Sequence, residues 1–146
     1  MPPIPLLLSA GEASGDMYAA QLADALRARL DVRLFGMGGP QMQAAGVDLV
    51  THYEEVAVVG ITEIVKHLPS LLKAMDRIVA EAEQRKPALA ILTDFPGFHL
   101  RLARKLQKLC TKPPETLADQ ILADLDHFKA DAPTHDDETL VVVKVK

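Results

Sequence analysis

Two polar segments of this 146-residue chain, residues 11–16 and 94–99, carry side chains suited to acid–base chemistry. The acidic, hydroxyl and imidazole groups in these segments belong to Glu12, Ser14, Asp16, Asp94 and His99. A carboxylate or an imidazole within hydrogen-bond reach of a substrate hydroxyl can remove its proton during a group transfer. Asp94 stands among Phe and Pro residues that would partly desolvate it, and desolvation raises the pKa of a carboxyl group toward useful base strength.

Asp94 also suits a structural role. It precedes a predicted helix over 98–109 and could cap that helix, or it could accept hydrogen bonds within its own loop. The spacing by itself favours the structural role, and the catalytic one stays open.

The segment 11–16 follows a run of three leucines, which is typical of a strand covered on both faces of a parallel sheet. Its two glycines allow backbone angles that other residues avoid, so we expect a sharp turn here. Ser14 or Asp16 is placed to cap a helix over 17–30. Ligands of open α/β sheets bind at the carboxyl ends of strands, so this loop is the first candidate binding site.

Apolar runs and helical patterns alternate along the first part of the chain. The predicted strands are 6–8, 32–35, 47–50 and 88–92, and the predicted helices are 17–30, 40–45, 61–85 and 98–109. The third helix places Leu68 and Leu72 on its buried face, and we expect Pro69 to break or kink it. The alternation predicts an α/β fold, a parallel sheet with helices on both faces. The segments 11–16 and 94–99 would then meet at one sheet edge.

A second glycine-rich corner follows the predicted strand 32–35. Gly38 and Gly39 either make a tight corner between strand and helix or leave bare backbone that a ligand can approach, and the sequence supports both equally. The spacing is not that of a dinucleotide-binding fingerprint, and no Walker lysine follows.

The composition is ordinary for a soluble globular protein, with 49% hydrophobic and 25% charged residues. No basic residue precedes the short apolar run near the start, and no apolar run approaches the roughly 20 residues of a membrane span, so we expect neither a secretory signal nor a transmembrane helix. The single cysteine, Cys110, has no internal disulfide partner, and a cytoplasmic location is predicted. The sequence shows no basic face for nucleic acid.

Four motifs resemble those of lipid-A-disaccharide synthase, a family that transfers diacylglucosamine from a UDP-activated donor to diacylglucosamine 1-phosphate in lipid A biosynthesis. In sequence order they are Gly11-Glu12-Ala13-Ser14-Gly15-Asp16, the stretch 38–46, the stretch 56–64, and Asp94-Phe95-Pro96-Gly97-Phe98-His99. The resemblance covers about residues 5–109 and implies the Rossmann-like N-terminal half of a two-domain glycosyltransferase. His99 departs from the asparagine that is usual at this place in the family.

The resemblance also implies roles for these residues. Asp94 would be the catalytic base. The acceptor-side binding site would include Gly11, Glu12, Ser14, Gly15, Asp16, Gly38, Gly39 and His99. The partners would be a UDP-sugar lipid donor and a lipid monosaccharide phosphate acceptor, with inner-membrane contact and a homo-oligomer as further expectations. Neither a cofactor nor a metal is expected.

The last segment differs in charge from the rest. Residues 1–110 hold 12 basic and 12 acidic side chains, whereas residues 111–146 hold 4 basic and 8 acidic ones. We therefore predict a truncated Rossmann-like acceptor domain over 1–110 and an unrelated helix–strand tail over 111–146, joined near Cys110. The edge at which the sheet would normally continue could be covered by the strand of the tail, residues 140–145, or by dimerisation, and the sequence does not decide between them.

The tail resembles the closing D-D-x-T-x-x-V-V motif of sporulation-regulator-type metal-dependent serine/threonine phosphatases. That resemblance implies Asp136, with Asp137 beside it, as a Mg²⁺ or Mn²⁺ ligand. Two carboxylates do not complete a site for a hard cation, so a solvated acidic turn is favoured.

We expect little transferase activity from the chain alone, because transfer requires donor and acceptor to be held together. The alternative function is a non-catalytic fusion remnant or binding module.

Overall fold

The structure, a computed structural model, describes residues 2–56, 64–109 and 141–143. Its elements are β1 (Ile4–Ala10), α1 (Ala13–Arg27), β2 (Val32–Gly38), α2 (Pro40–Ala44), β3 (Asp48–His52), a 3₁₀ turn (Tyr53–Glu55), α3 (Ile64–Arg85), β4 (Leu89–Thr93), α4 (Pro96–Gln107) and β5 (Val141–Val143). Four strands form a parallel sheet in the order β3-β2-β1-β4, and β5 joins its edge antiparallel to β4. The predicted α/β fold is confirmed.

β1 lies inside the sheet and separates two apolar cores. Leu6 and Leu8 belong to the core that includes α1 and α2, and Leu7 belongs to the core formed with α3 and α4. Because side chains alternate along a strand, Ser9 falls on the same side as Leu7. Helices therefore cover both faces of the sheet, as predicted.

β1 and β4 are neighbours, yet the helices that follow them lie on opposite faces. α1 packs on one face through Ala19 and Ala23, and α4 packs on the other through Leu102 and Leu106. The chain therefore leaves the carboxyl ends of these two strands toward opposite faces of the sheet. This is the kind of place at which open α/β sheets bind ligands.

α1 and β2 both differ from their predicted extents. α1 begins earlier than predicted, so Ser14 and Asp16 lie inside the helix and the expectation that one of them caps it is wrong. Its N-cap residue is Glu12, whose side chain makes no capping hydrogen bond. β2 continues through Gly36 as far as Gly38. Gly36 has a φ of +151°, and the register of β2 on β3 shifts directly after it, which marks a β-bulge that continues the strand instead of ending it.

α3 and α4 also correct the prediction in detail. α3 runs through Pro69 without a break. A proline removes a single backbone donor there, while the apolar residues Ala74, Ile78 and Ala82 pack the helix against the sheet. α4 begins at Pro96, two residues before the predicted start, because proline suits the first helical position.

β5 covers the edge of the sheet beyond β4, which is one of the two covers that the sequence left open. Its register pairs Val141, Val142 and Val143 with Leu92, Ile91 and Ala90. Three predicted features lie outside the described residues: the helix of the tail, the acidic pair Asp136 and Asp137, and residues 57–63 of the third motif.

Candidate active site

The loops that follow β1 and β4 are in direct contact at the carboxyl edge of the sheet. The backbone N–H of Gly11 donates a hydrogen bond of 2.7 Å to Oδ1 of Asp94. The register that pairs Ala10 with Thr93 brings the first residue of each loop side by side. The structure thus brings together the two segments that were predicted to meet.

Gly11 and Gly15 leave room that the other loop fills. A Cβ at Gly11 would lie 2.5 Å from the Cβ of Phe95, and a Cβ at Gly15 would overlap Oδ2 of Asp94. Neither glycine has a positive φ, so the predicted reason for them, backbone freedom, is wrong. The absence of a side chain is what the structure requires, because it lets the Asp94 carboxylate lie against the start of α1.

The Asp94 carboxylate occupies the N-terminal end of α1. Burial disfavours its charge and raises its pKa above the ordinary aspartate value, and the nearby negative charge of Glu12 raises it as well. Hydrogen bonding from the backbone N–H groups of Gly11, Glu12 and Gly15 acts in the opposite direction. The residue as a whole is still exposed. A carboxyl group with a raised pKa on an exposed residue at this edge of the sheet is a candidate general base.

Asp94 and Phe95 both adopt the left-handed backbone conformation, with φ of 53° and 40°. Each such residue costs roughly 1–3 kcal/mol, and such strain is concentrated at functional sites. Phe95 is the N-cap of α4, and its carbonyl accepts bonds from the N–H groups of Phe98 and His99. The Phe95 and Phe98 rings stack with their centroids 5.7 Å apart. These contacts turn the chain from β4 into α4 within two residues.

His99 ties this loop to β1 from within the core. The residue is 3% exposed, its Nδ1 lies 2.7 Å from the backbone oxygen of Asp94, and its Nε2 lies 2.7 Å from Oγ of Ser9. A carbonyl oxygen only accepts, so Nδ1 carries the proton and Nε2 accepts from the Ser9 hydroxyl. Burial lowers the pKa of His99, which keeps the ring neutral. Both ring nitrogens are therefore engaged within the protein.

Asp16 is buried, and its carboxylate is occupied by backbone donors of the next helix. Oδ1 accepts from the N–H groups of Gly39 at 2.7 Å and Met42 at 3.0 Å, and Oδ2 accepts from Gln41 at 3.0 Å. α2 has no side-chain bond from its own N-cap residue. Asp16 caps α2 from a different part of the chain, just as Asp94 does for α1.

The other residues predicted to bind substrate divide into exposed and enclosed ones. Glu12 and Ser14 are exposed at the start of α1. The space beside Gly38 and Gly39 is filled by other side chains of the protein. Of the two interpretations of this corner, the tight turn fits the structure.

Most of the chain matches a single family. The model for the lipid-A-disaccharide synthetase family matches residues 6–115. The chain belongs to this family. The four motifs found in the sequence lie within the matched residues, and the match continues past the junction predicted near Cys110.

Relatives within the lipid-A-disaccharide synthetase family include well-matched curated proteins. The lipid-A-disaccharide synthase of Koribacter versatilis (strain Ellin345) is 52% identical over 103 residues, which cover 69% of this chain and 27% of the relative. The synthase of Myxococcus xanthus (strain DK1622) is 50% identical over 105 residues, which cover 71% of this chain and 27% of the relative. The synthase of Acidobacterium capsulatum is 50% identical over 104 residues, which cover 70% of this chain and 26% of the relative. The chain spans about a quarter of the length of these relatives.

An apolar cavity adjoins the Asp94 loop in this member of the lipid-A-disaccharide synthetase family. Its volume is about 270 Å³, and α3 and α4 contribute most of its lining. The lining residues are Leu68, Leu71, Leu72, Met75, Phe95, Gly97, Phe98 and Arg101. Leu68 and Leu72 are 40% and 46% exposed, so the prediction that they are buried is wrong. They line an open cavity instead of the core.

Sequence reasoning missed Ser9 and the cavity. The signal for Ser9 was present, because it is a polar residue at the end of an apolar strand. Among the described residues, no group of three or more His, Cys, Asp or Glu side chains could hold a metal ion. In the same part of the chain, no helix is long and apolar enough to cross a membrane.

Proposed function

We propose that this chain forms the acceptor side of a lipid-A-disaccharide synthase active site, with Asp94 as the general base. Asp94 would take the proton of the acceptor hydroxyl while that oxygen bonds to the anomeric carbon of UDP-linked diacylglucosamine, and UDP would leave with the electron pair of the broken bond. The observation that carries the proposal is the Asp94 carboxyl group, which belongs to an exposed residue, has a raised pKa, and lies where the chain leaves β1 and β4 toward opposite faces of the sheet.

The cavity beside Asp94 supports a lipid as the acceptor. Its apolar lining suits an acyl chain, and Arg101, the charged residue of that lining, suits a phosphate. Leu68 and Leu72 present apolar surface at the same place, which supports peripheral contact with the inner membrane. Glu12 and Ser14 are the exposed polar residues that we assign to the acceptor sugar.

The donor side of the reaction lies outside this assignment. Because the chain matches about a quarter of its relatives' length, we expect the UDP-binding residues in the part that it does not match. Little transfer is expected from the 146 residues by themselves, since both substrates must be held together.

The test is a chimera in which this chain supplies the segment that it matches in the Koribacter versatilis relative. The chimera is expected to form the disaccharide, and Asp94→Ala is expected to lower its kcat by roughly 10²–10⁴-fold. Asp24→Ala, an exposed position on α1, is the matched control and retains the rate. Equal rates for the parent chimera and Asp94→Ala would overturn the proposal. A folded chimera that binds acceptor without transfer would support the binding-module alternative.

A further inference from the structure

We propose that His99 is a positioning residue for Asp94, and that the Ser9 hydroxyl anchors the other nitrogen of its ring. The inference deepens the proposed function, on which it rests where it treats Asp94 as the base. The contacts that carry it are independent of that assignment.

The main chain and the side chain of Asp94 are each held by a separate hydrogen bond. Nδ1 of His99 binds the Asp94 carbonyl at 2.7 Å, and the Gly11 N–H binds the Asp94 carboxylate at 2.7 Å. The first bond comes from α4 and the second from the end of β1. A non-glycine residue keeps a left-handed backbone conformation only where several contacts fix it. For Asp94, these two hydrogen bonds supply such contacts.

The Asp94 carbonyl decides which nitrogen of His99 carries the proton, because a carbonyl oxygen only accepts, whereas the Ser9 hydroxyl can donate or accept. The Ser9 hydroxyl lies 2.7 Å from Nε2, so the Nδ1-protonated ring satisfies both neighbours at once. The opposite tautomer would aim a lone pair of Nδ1 at the carbonyl oxygen of Asp94. An asparagine also combines one donor with one acceptor, which makes His99→Asn the conservative replacement. His99→Phe keeps a ring and removes both functions.

The test follows two NMR signals of the full 146-residue chain. The ¹⁵N shifts of His99 report which ring nitrogen carries the proton, and the ¹³C shift of the Asp94 carboxyl carbon gives its titration midpoint. In the wild-type chain we expect a protonated Nδ1 and a midpoint above 3.8, the ordinary aspartate value. In His99→Phe the midpoint is expected to fall toward 3.8, because the released carboxylate gains water.

Three further variants separate positioning from general destabilisation. Ser9→Ala is expected to leave the proton on Nδ1 and to lower the Asp94 midpoint by less than His99→Phe does, because the ring loses one anchor and keeps its bond to the Asp94 carbonyl. His99→Asn is expected to restore the midpoint. Leu106→Ala, a fully buried position of the same helix, is expected to lower the Tm and to leave both NMR signals at their wild-type values.

The inference is overturned if Ser9→Ala and His99→Phe both leave the Asp94 midpoint unchanged, or if Leu106→Ala moves it equally. Should His99→Phe fail to fold, Ser9→Ala decides alone, since it removes one hydroxyl. Failure of the proposed function has a different result: the chimera stays active with Asp94→Ala while the NMR signals behave as expected here.

Discussion

Oδ2 of Asp94 occupies the space into which a side chain at Gly15 would extend. Gly15→Ala therefore forces the methyl group against a carboxylate that the Gly11 N–H also holds. We expect the free energy of unfolding to fall by roughly 1–3 kcal/mol, as for other overpacked sites, and the Asp94 carboxyl to be displaced. Urea unfolding and the Asp94 titration midpoint measure the two effects.

Gly97→Ala is the matched control for this substitution. A Cβ at Gly97 meets no atom within 4 Å, and the residue lies in α4, where alanine is favoured over glycine by roughly 0.5–1 kcal/mol. The control is expected to be as stable as the wild type or more stable. An equal loss in both variants would show that the contact with Asp94 is not the cause.

That the loops of Gly11 and Asp94 lie at one edge of the sheet could be predicted, because this needs only a parallel sheet. Apolar runs alternating with helices indicate a parallel sheet, and the carboxyl ends of neighbouring parallel strands share one edge. The raised pKa of Asp94 was also predicted, from the aromatic residues around it, and its direction is confirmed.

The helix caps could not be predicted, because their donors and acceptors are far apart in the chain. Capping rules look for a Ser, Thr, Asp or Asn at the N-cap itself, and both α1 and α2 lack a bond from that residue. Asp94 and Asp16 supply the missing acceptors from other elements. His99 is similar, since only the folded chain brings it to Ser9.

Asp16→Asn tests the cap of α2. The asparagine amide keeps one oxygen as an acceptor, but its NH₂ group takes the place of the other oxygen. A backbone N–H group of α2 therefore loses its acceptor. Each buried donor left unsatisfied costs about 1–3 kcal/mol, so we expect a loss of that size in the free energy of unfolding. Asp24→Asn makes the same chemical change at an exposed position of α1 and is expected to change stability by less than about 0.5 kcal/mol.

Asp94→Asn is expected to compare more favourably in stability with the wild type at neutral pH than at acid pH. Because the pKa of Asp94 is raised on folding, the folded state holds more protons between 3.8 and the folded pKa. The free energy of unfolding therefore falls as the pH rises through this window, and the cost persists above it. Asparagine removes the charge and can still accept from Gly11, but its NH₂ group leaves a backbone donor at the start of α1 without an acceptor at every pH. The Tm of the variant relative to that of the wild type should therefore be higher at pH 7 than at pH 3. Asp31→Asn makes the same chemical change at an exposed position and is the control for it.

His99 is expected to make stability depend on pH in the opposite sense. Its pKa lies below 6.5 in the folded chain, so the unfolded chain binds the proton first as the pH falls. The free energy of unfolding is highest above 6.5 and declines toward the folded pKa. His99→Asn removes this contribution while the remaining histidines are unchanged. Urea unfolding at about pH 7.5 and pH 5 should show a larger difference between wild type and variant at the higher pH, and an equal difference would contradict the assignment.

The pairing of β5 with β4 gives a prediction about self-association. Successive N–H groups of a strand point to opposite sides, so replacing both Val141 and Val142 with proline removes at least one donor that faces β4. The exposed edge of β4 then offers unpaired backbone groups to a second chain. Light scattering after size exclusion is expected to show larger species for this double variant than for the wild type.

The threonine double variant at the same two positions keeps both backbone donors and the β-branched shape, so its mass distribution should match that of the wild type. Identical masses for the proline and threonine variants would show that β5 does not protect the edge. The NMR chemical shift of the Gly11 amide, measured in the same samples, shows whether the association disturbs the bond from Gly11 to Asp94. If it is unchanged, the association arises at the outer side of β4, because the bond from Gly11 to Asp94 lies at the boundary with β1.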